Sequence, residues 1–133
     1  MKHWLIKSEP DTYSFADLQK DGSTVWDGIR NYQARNYLKE MKQGDRLLFY
    51  HSGKEKSVVG VAEVSKPFFP ESNDPEERWV AVEIIPLEQI KEPVSLQKMK
   101  ESGLLPDLML FKQSRLSVIP LSEEEYKSIL TLK

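Results

Sequence analysis

The chain has 133 residues, with 19 Lys/Arg against 21 Asp/Glu, 39% hydrophobic residues and no cysteine. That length and balance fit one globular domain, residues 1–133, large enough to bury a core without covalent staples. They exclude disulfides, thiolate metal sites and a broadly basic nucleic-acid coat, and two histidines, His3 and His51, are too few for a His-rich zinc site.

The first element is a strand, His3–Lys7, stopped by Ser8-Glu9-Pro10 because proline cannot donate to a ladder. Its apolar part, Trp4–Ile6, is too short for a signal-peptide core, and no apolar run approaches a membrane span, so the chain reads as cytoplasmic. Ser14 with Asp17 forms a capping box for a short helix that turns Phe15 and Leu18 inward and ends at Asp21-Gly22. The segment Val25–Tyr32 (VWDGIRNY) fits neither period. Asn31 then caps a helix reaching about Met41, with Ala34, Tyr37, Leu38 and Met41 on its core face and Gly44 suited to a left-handed cap.

A strand over Leu47–His51, buried on both faces at its start, and a return strand over Ser57–Val64 make a hairpin across the polar turn Gly53–Lys56. Gly60 inside the second strand marks a bulge or a close approach. Residues Phe68 to Arg78 read as a long polar loop. Trp79–Ile85 alternates as a strand closed by Pro86. Ser95 caps a helix over Leu96–Glu101, and Pro106 fits the first position of another helical piece. Arg115–Ile119 is a last short strand, and Ser122 with Glu125 boxes a final helix, Glu123–Leu130. Short strands outnumber scattered helices, which predicts an α+β fold: a strongly bent sheet or small mixed β-barrel decorated with short helices.

Charge is distributed unevenly. Trp26–Lys56 holds seven Lys/Arg against four Asp/Glu, while Glu71–Glu92 holds two against seven. A basic stretch of this kind is either a solvated face or the border of a site for an anionic partner. Polar-aromatic clusters fall at strand ends and loops: Lys7-Ser8-Glu9, Trp26–Asn31, Tyr50-His51-Ser52 and Arg115–Ser117. Within the second cluster, Trp26 offers a stacking face, Gly28 permits close approach, and Arg30 and Asn31 are side chains that read base edges and phosphates. That combination is what a splayed-out base requires. From the pattern alone, Trp26 fits a core as well as a pocket, and Asn31 fits a plain helix cap. Phe68, Phe69 and Trp79 fit loop anchors or core better than a second aromatic surface.

The catalytic alternative is an enzyme acting on a nucleotide or RNA, with His51 or Glu9 as general base. Tyr50 and Ser52 share a face of their strand while His51 faces away, so adjacent His51 and Ser52 do not make a nucleophile–base pair. No nucleophile elbow or phosphate-cradling glycine loop is present in the sequence.

Six motifs in order, WLIKSEP at 4–10, YSFADL at 13–18, WDGIRNYQARN at 26–36, MKQGD at 41–45, FYHS at 49–52 and RLSV at 115–118, resemble the EVE domain family over nearly the whole chain. The family often carries Val where Ile29 stands. The resemblance implies a PUA-like fold, a small pseudo-barrel shared with YTH and ASCH domains, in which these clusters converge on one pocket. It implies binding of RNA or of a modified base such as a modified cytosine in DNA or RNA. Taken with the residues, the expectation is a cofactor-free, metal-free, non-catalytic, monomeric module whose partner is a nucleic acid with a modified base, or a free modified nucleotide. The residues expected to hold the base are Lys7, Ser8, Trp26, Gly28, Arg30, Asn31, Tyr50, His51 and Ser52, with Arg35 and Arg115 placed to meet phosphates.

Overall fold

The computed structural model describes residues 1–72, 74–76 and 78–133. Six strands form one sheet in the order β2-β5-β4-β3-β1-β6. In chain order they are β1 (His3–Ser8), β2 (Thr24–Trp26), β3 (Arg46–His51), β4 (Ser57–Pro70), β5 (Val80–Ser95) and β6 (Val118–Leu121). Only β1 and β3 pair in parallel; the other neighbours are antiparallel. That parallel pair needs a long crossover, and residues 9–45 supply it through α1 (Phe15–Asp21), β2 and α2 (Tyr32–Glu40). Three further helices follow: α3 (Leu96–Glu101), α4 (Met109–Lys112) and α5 (Glu123–Thr131).

The sheet is bent without closing. α2 packs against β4, β5 and β6, strands from opposite ends of the sheet order, so the sheet curls around that helix. The terminal strands β2 and β6 do not pair among the described residues. The five strands expected from the sequence all lie in this one sheet, and β2 joins them.

Local chemistry accounts for the helix limits. Ser14 and Ser122 each complete the expected capping box, with Asp17 and Glu125, and Gly22 ends α1 at φ +78°. Asn31 Oδ1 accepts from the Ala34 N–H at 2.9 Å and opens α2 where expected. α2 stops at Met41, whose backbone is extended; Gly44, at φ +93°, belongs to the turn into β3 rather than to the helix cap.

The core joins both faces of β1, β3 and β4 to the helices. Trp4 is 2% exposed and donates its indole N–H to Asp45 Oδ2 at 3.0 Å. The same buried carboxylate accepts from the backbone N–H groups of Lys2 and Lys42, also at 3.0 Å, so its desolvation is met by three donors. Gly60 marks the close approach expected of it: a Cβ there would overlap the Phe15 ring. β3 is covered on both faces along its length, with Arg46 the least buried residue, so its wet end is the start and not the finish.

Four further expectations are corrected. The supposed loop from Phe68 begins later, because β4 runs on to Pro70 against β5 through several register shifts. Pro86 does not close its strand. β5 passes it at a bulge: Ala62 faces Pro86 and Val61 faces Glu88, so Leu87 is accommodated as an extra residue, and β2 pairs only with Val82–Ile84. The last strand is Val118–Leu121; Arg115 sits in the turn before it. Pro106 occupies a turn, and α4 starts at Met109.

Candidate nucleic-acid interface

At one end of β1 the chain opens into a cleft of about 430 Å³. Its walls are the strand end Lys7–Glu9, the turn residues Thr12 and Tyr13, the strand β2, and Asp27 with Ile29. The volume falls within the range of small-molecule pockets, roughly 300–1,000 Å³.

Each wall has a local cause. Glu9 O accepts from the N–H groups of Thr12 (2.9 Å) and Tyr13 (2.8 Å), a tight turn that Pro10 supports and that brings Tyr13 back over the strand end. The Ser8 hydroxyl donates to the Tyr13 carbonyl and fixes the turn from beneath. Tyr13 donates its phenol to Asp21 at 2.8 Å; burial raises its pKa. β2 is anchored by pairing Trp26 with Val82 of β5. The Trp26 indole stands edge-to-face with Phe49 at 5.6 Å and with Tyr13 at 6.1 Å. Beneath it Phe49 meets Phe15 at 5.4 Å. Trp26 is therefore half core and half cleft wall.

The sequence-derived residues divide among neighbouring places. Lys7, Ser8 and Trp26 line this cleft. Tyr50 and Ser52, with Lys7 again, line a second cleft of about 230 Å³. Asn31 and Arg115 line a third hollow of about 310 Å³, which shares Ser114 with the second. His51 is 7% exposed: its Nε2 accepts from the Phe15 N–H at 3.0 Å and its Nδ1 meets Glu55 at 2.8 Å. An accepting Nε2 places the proton on Nδ1, which donates to the carboxylate, so both ring nitrogens are in use within the fold.

Gly28, Arg30 and Arg35 belong to a clasp beside the cleft. Gly28 takes φ +77° and its N–H reaches Glu71 at 3.4 Å. Arg30 grips the same Glu71 carboxylate through both terminal nitrogens, at 2.7 and 3.0 Å. That pair raises the Arg30 pKa and holds the Glu71 carboxyl below the ordinary carboxylate value. Arg30 also lies 5.2 Å over the Trp79 ring, Trp79 stacks on Tyr32 at 5.0 Å, and Arg35 lies 4.8 Å over Tyr32. Arg35 donates to the Arg78 carbonyl at 3.1 Å. The basic stretch is thus partly neutralised by the acidic one, and Trp79 anchors its loop.

Sequence reasoning missed Thr12, Tyr13, Thr24 and Asp27 as cleft walls. Tyr13 had a readable signal, an aromatic between a proline turn and a helix cap; β2 is too short for its period to show.

A profile of the EVE domain family matches residues 2–132. The chain belongs to the EVE domain family. Thymocyte nuclear protein 1 of Gallus gallus is 36% identical to this EVE domain, over 98% of its length and 68% of the longer relative. A solved protein from Rhodopseudomonas palustris superposes with a TM-score of 0.95 at 36% identity, covering 99% of this chain and 92% of that one. Human THYN1, solved in complex with 5-methylcytosine-containing DNA, superposes with a TM-score of 0.91 at 32% identity, covering 99% and 97%.

Proposed function

We propose that this EVE domain is a non-catalytic nucleic-acid-binding module that captures one unstacked, modified base in the Trp26 cleft. The observation that carries the reading is a half-buried indole forming the wall of an open cleft whose rim bears two carboxylates, Glu9 and Asp27. The ring offers stacking, worth roughly 1–3 kcal/mol per base. Carboxylates accept from exocyclic amino groups such as the N4 amine of cytosine, and a 5-methyl group finds apolar surface at Trp26 and Ile29. The human relative solved with 5-methylcytosine-containing DNA supports a cytosine-type base. The engaged ring nitrogens of His51 favour a reader over an enzyme, since a general base needs a lone pair aimed at substrate.

The test is calorimetry with one 5-methylcytosine placed in single-stranded, mismatched and fully paired DNA of equal length at one salt concentration. Extrusion from a duplex costs a few kcal/mol, least at unpaired positions, so affinity should fall in that order. Equal affinities would remove base capture. The salt slope should report one to three phosphates, each contributing about −0.7 on single strands. RNA and free-nucleotide versions of the same base rank the alternatives in the same experiment.

A further inference from the structure

The second cleft adjoins the first through Lys7 and differs from it in charge. Two lysines, Lys7 and Lys56, face it together with Tyr50, Ser52 and Ser114, and its lining includes no carboxylate. The Trp26 cleft has the opposite character, with Glu9 and Asp27 on its rim.

The donors are held in place by the sheet. Lys7 lies opposite Tyr50 in the parallel β1–β3 ladder. Ser52, two residues beyond Tyr50, is tied to the Ser8 carbonyl by both its N–H at 2.9 Å and its hydroxyl at 3.3 Å, so it shapes the cleft wall. Tyr50 is 3% exposed, yet its hydroxyl makes no hydrogen bond among the described residues and is not sealed off, so it opens into the cleft. The Lys7 ammonium is half-buried and donates to the Ser114 carbonyl at 2.7 Å. An ammonium carries three N–H donors; among the described residues that carbonyl is its one acceptor and no carboxylate pairs with it. Burial depresses the Lys7 pKa, an unfavourable desolvation that a bound anion would offset.

Lys56 adds a third observation. It is the one non-glycine residue among those described with a left-handed backbone, at φ +43°, and its carbonyl is tied to the Leu96 N–H at 2.8 Å. That bond fixes the turn at Lys56, which keeps the residue in the cleft wall.

We propose that this second cleft is a phosphate seat, taking the phosphate attached to the nucleotide whose base occupies the Trp26 cleft, with Lys7 at the junction and Tyr50 and Lys56 as the other donors. The identity of the neighbouring occupant rests on the base-capture reading; the seat itself rests on the cleft's own donors. The anion is a phosphoryl group, whether a nucleotide monophosphate or a phosphodiester within a strand.

Two experiments test it separately from base capture. In the first, inorganic phosphate is titrated into the protein and backbone amide shifts are followed. Movement at Ser52, Gly53 and Lys56, saturating and absent in Lys56→Asn, supports the seat even if no nucleotide binds. Asn tolerates the left-handed conformation, so this variant removes the charge without adding strain. No saturable movement at these amides, or movement unchanged by Lys56→Asn and Tyr50→Phe, overturns the seat.

In the second, 5-methyl-2′-deoxycytidine is compared with its 5′- and 3′-monophosphates and with a short single strand containing it. One phosphate should raise affinity about tenfold, the scale of a charge-assisted hydrogen bond. Lys56→Asn should abolish that gain while nucleoside affinity holds, and Lys56→Arg should restore it. Where the nucleoside binds, a gain that survives Lys56→Asn, or no gain from any phosphate, overturns the seat. Phosphate-driven amide shifts with no binding of nucleoside or nucleotide would leave the seat standing and remove the base-capture reading.

Discussion

Two aromatic groups lie on either side of the segment Trp26–Arg35, and they use the same residue types to opposite ends. In the cleft, Trp26 and Tyr13 meet edge to face and leave open space of about 430 Å³ between the chain segments that carry them. In the clasp, Trp79 and Tyr32 stack on each other at 5.0 Å, and the guanidinium groups of Arg30 and Arg35 cover them. An aromatic beside an arginine is not in itself a binding platform; what matters is whether the ring still has a face to offer. The clasp has spent its faces on holding the loop after β4 against the start of α2. Through Glu71 it also holds the lip of the cleft at Gly28.

The largest expected effect is on the cleft's floor. Gly60→Ala drives a methyl into the Phe15 ring, and overpacking of this kind costs about 1–3 kcal/mol. The melting temperature should fall by several degrees in thermal unfolding monitored by circular dichroism. An unshifted transition would mean that the Phe15 ring moves freely and the floor is soft.

Next, Trp26→Leu keeps apolar volume against Phe49 and removes the indole face. Affinity for a single-stranded oligonucleotide carrying 5-methylcytosine should drop by roughly 1–3 kcal/mol in calorimetry. Trp79→Leu should lower the melting temperature instead, at the scale of a lost aromatic pair, about 0.5–1.5 kcal/mol, with the oligonucleotide affinity nearly retained. Reversed outcomes for the two tryptophans would exchange the roles of cleft and clasp.

The smallest effect is a pH dependence. Arg30 holds Glu71 below its ordinary value of 4.5, so the stabilisation from this pair is full above that pH and is lost as pH falls through the depressed folded value. Melting temperatures of the parent and Arg30→Met should therefore differ above pH 4.5 and converge in more acid solution. The pair is surface-exposed on the arginine side, so the difference is small and shrinks with added salt. A constant difference across the acid range would show that Arg30 acts by packing on Trp79 alone.

Much of the fold was legible from the sequence, and the reasons are local. The capping boxes at Ser14 and Ser122 and the Asn31 cap are short-range hydrogen-bond patterns, and each stands in the structure as read. Pro86 misled, because a proline is tolerated at a bulge or on an edge strand, and where those fall is a tertiary fact. The candidate site was legible as a set of neighbouring clefts and not as a contact list. Alternation along β3 correctly put Tyr50 and Ser52 together and His51 apart, but nothing local foretold that the backbone of Phe15 would occupy the imidazole. Likewise Arg30 read as a base or phosphate reader because its partner, Glu71, lies 41 residues away in sequence.

The path of β5 has a consequence for how the molecule meets other chains. On its outer side only Val82–Ile84 pairs with β2, and among the described residues no strand pairs with the outer side of Ile85–Ser95. An exposed row of backbone donors invites a foreign strand to add. Here Pro86 and Pro93 contribute no donor, and Glu88, Lys91 and Glu92 stand exposed between them. The other two margins are equally poor templates: β2 is three residues long, and β6 is four residues long with Pro120 in it. The same prolines that obscure the strands in the sequence make the rims of this open sheet poor sites for intermolecular β-pairing.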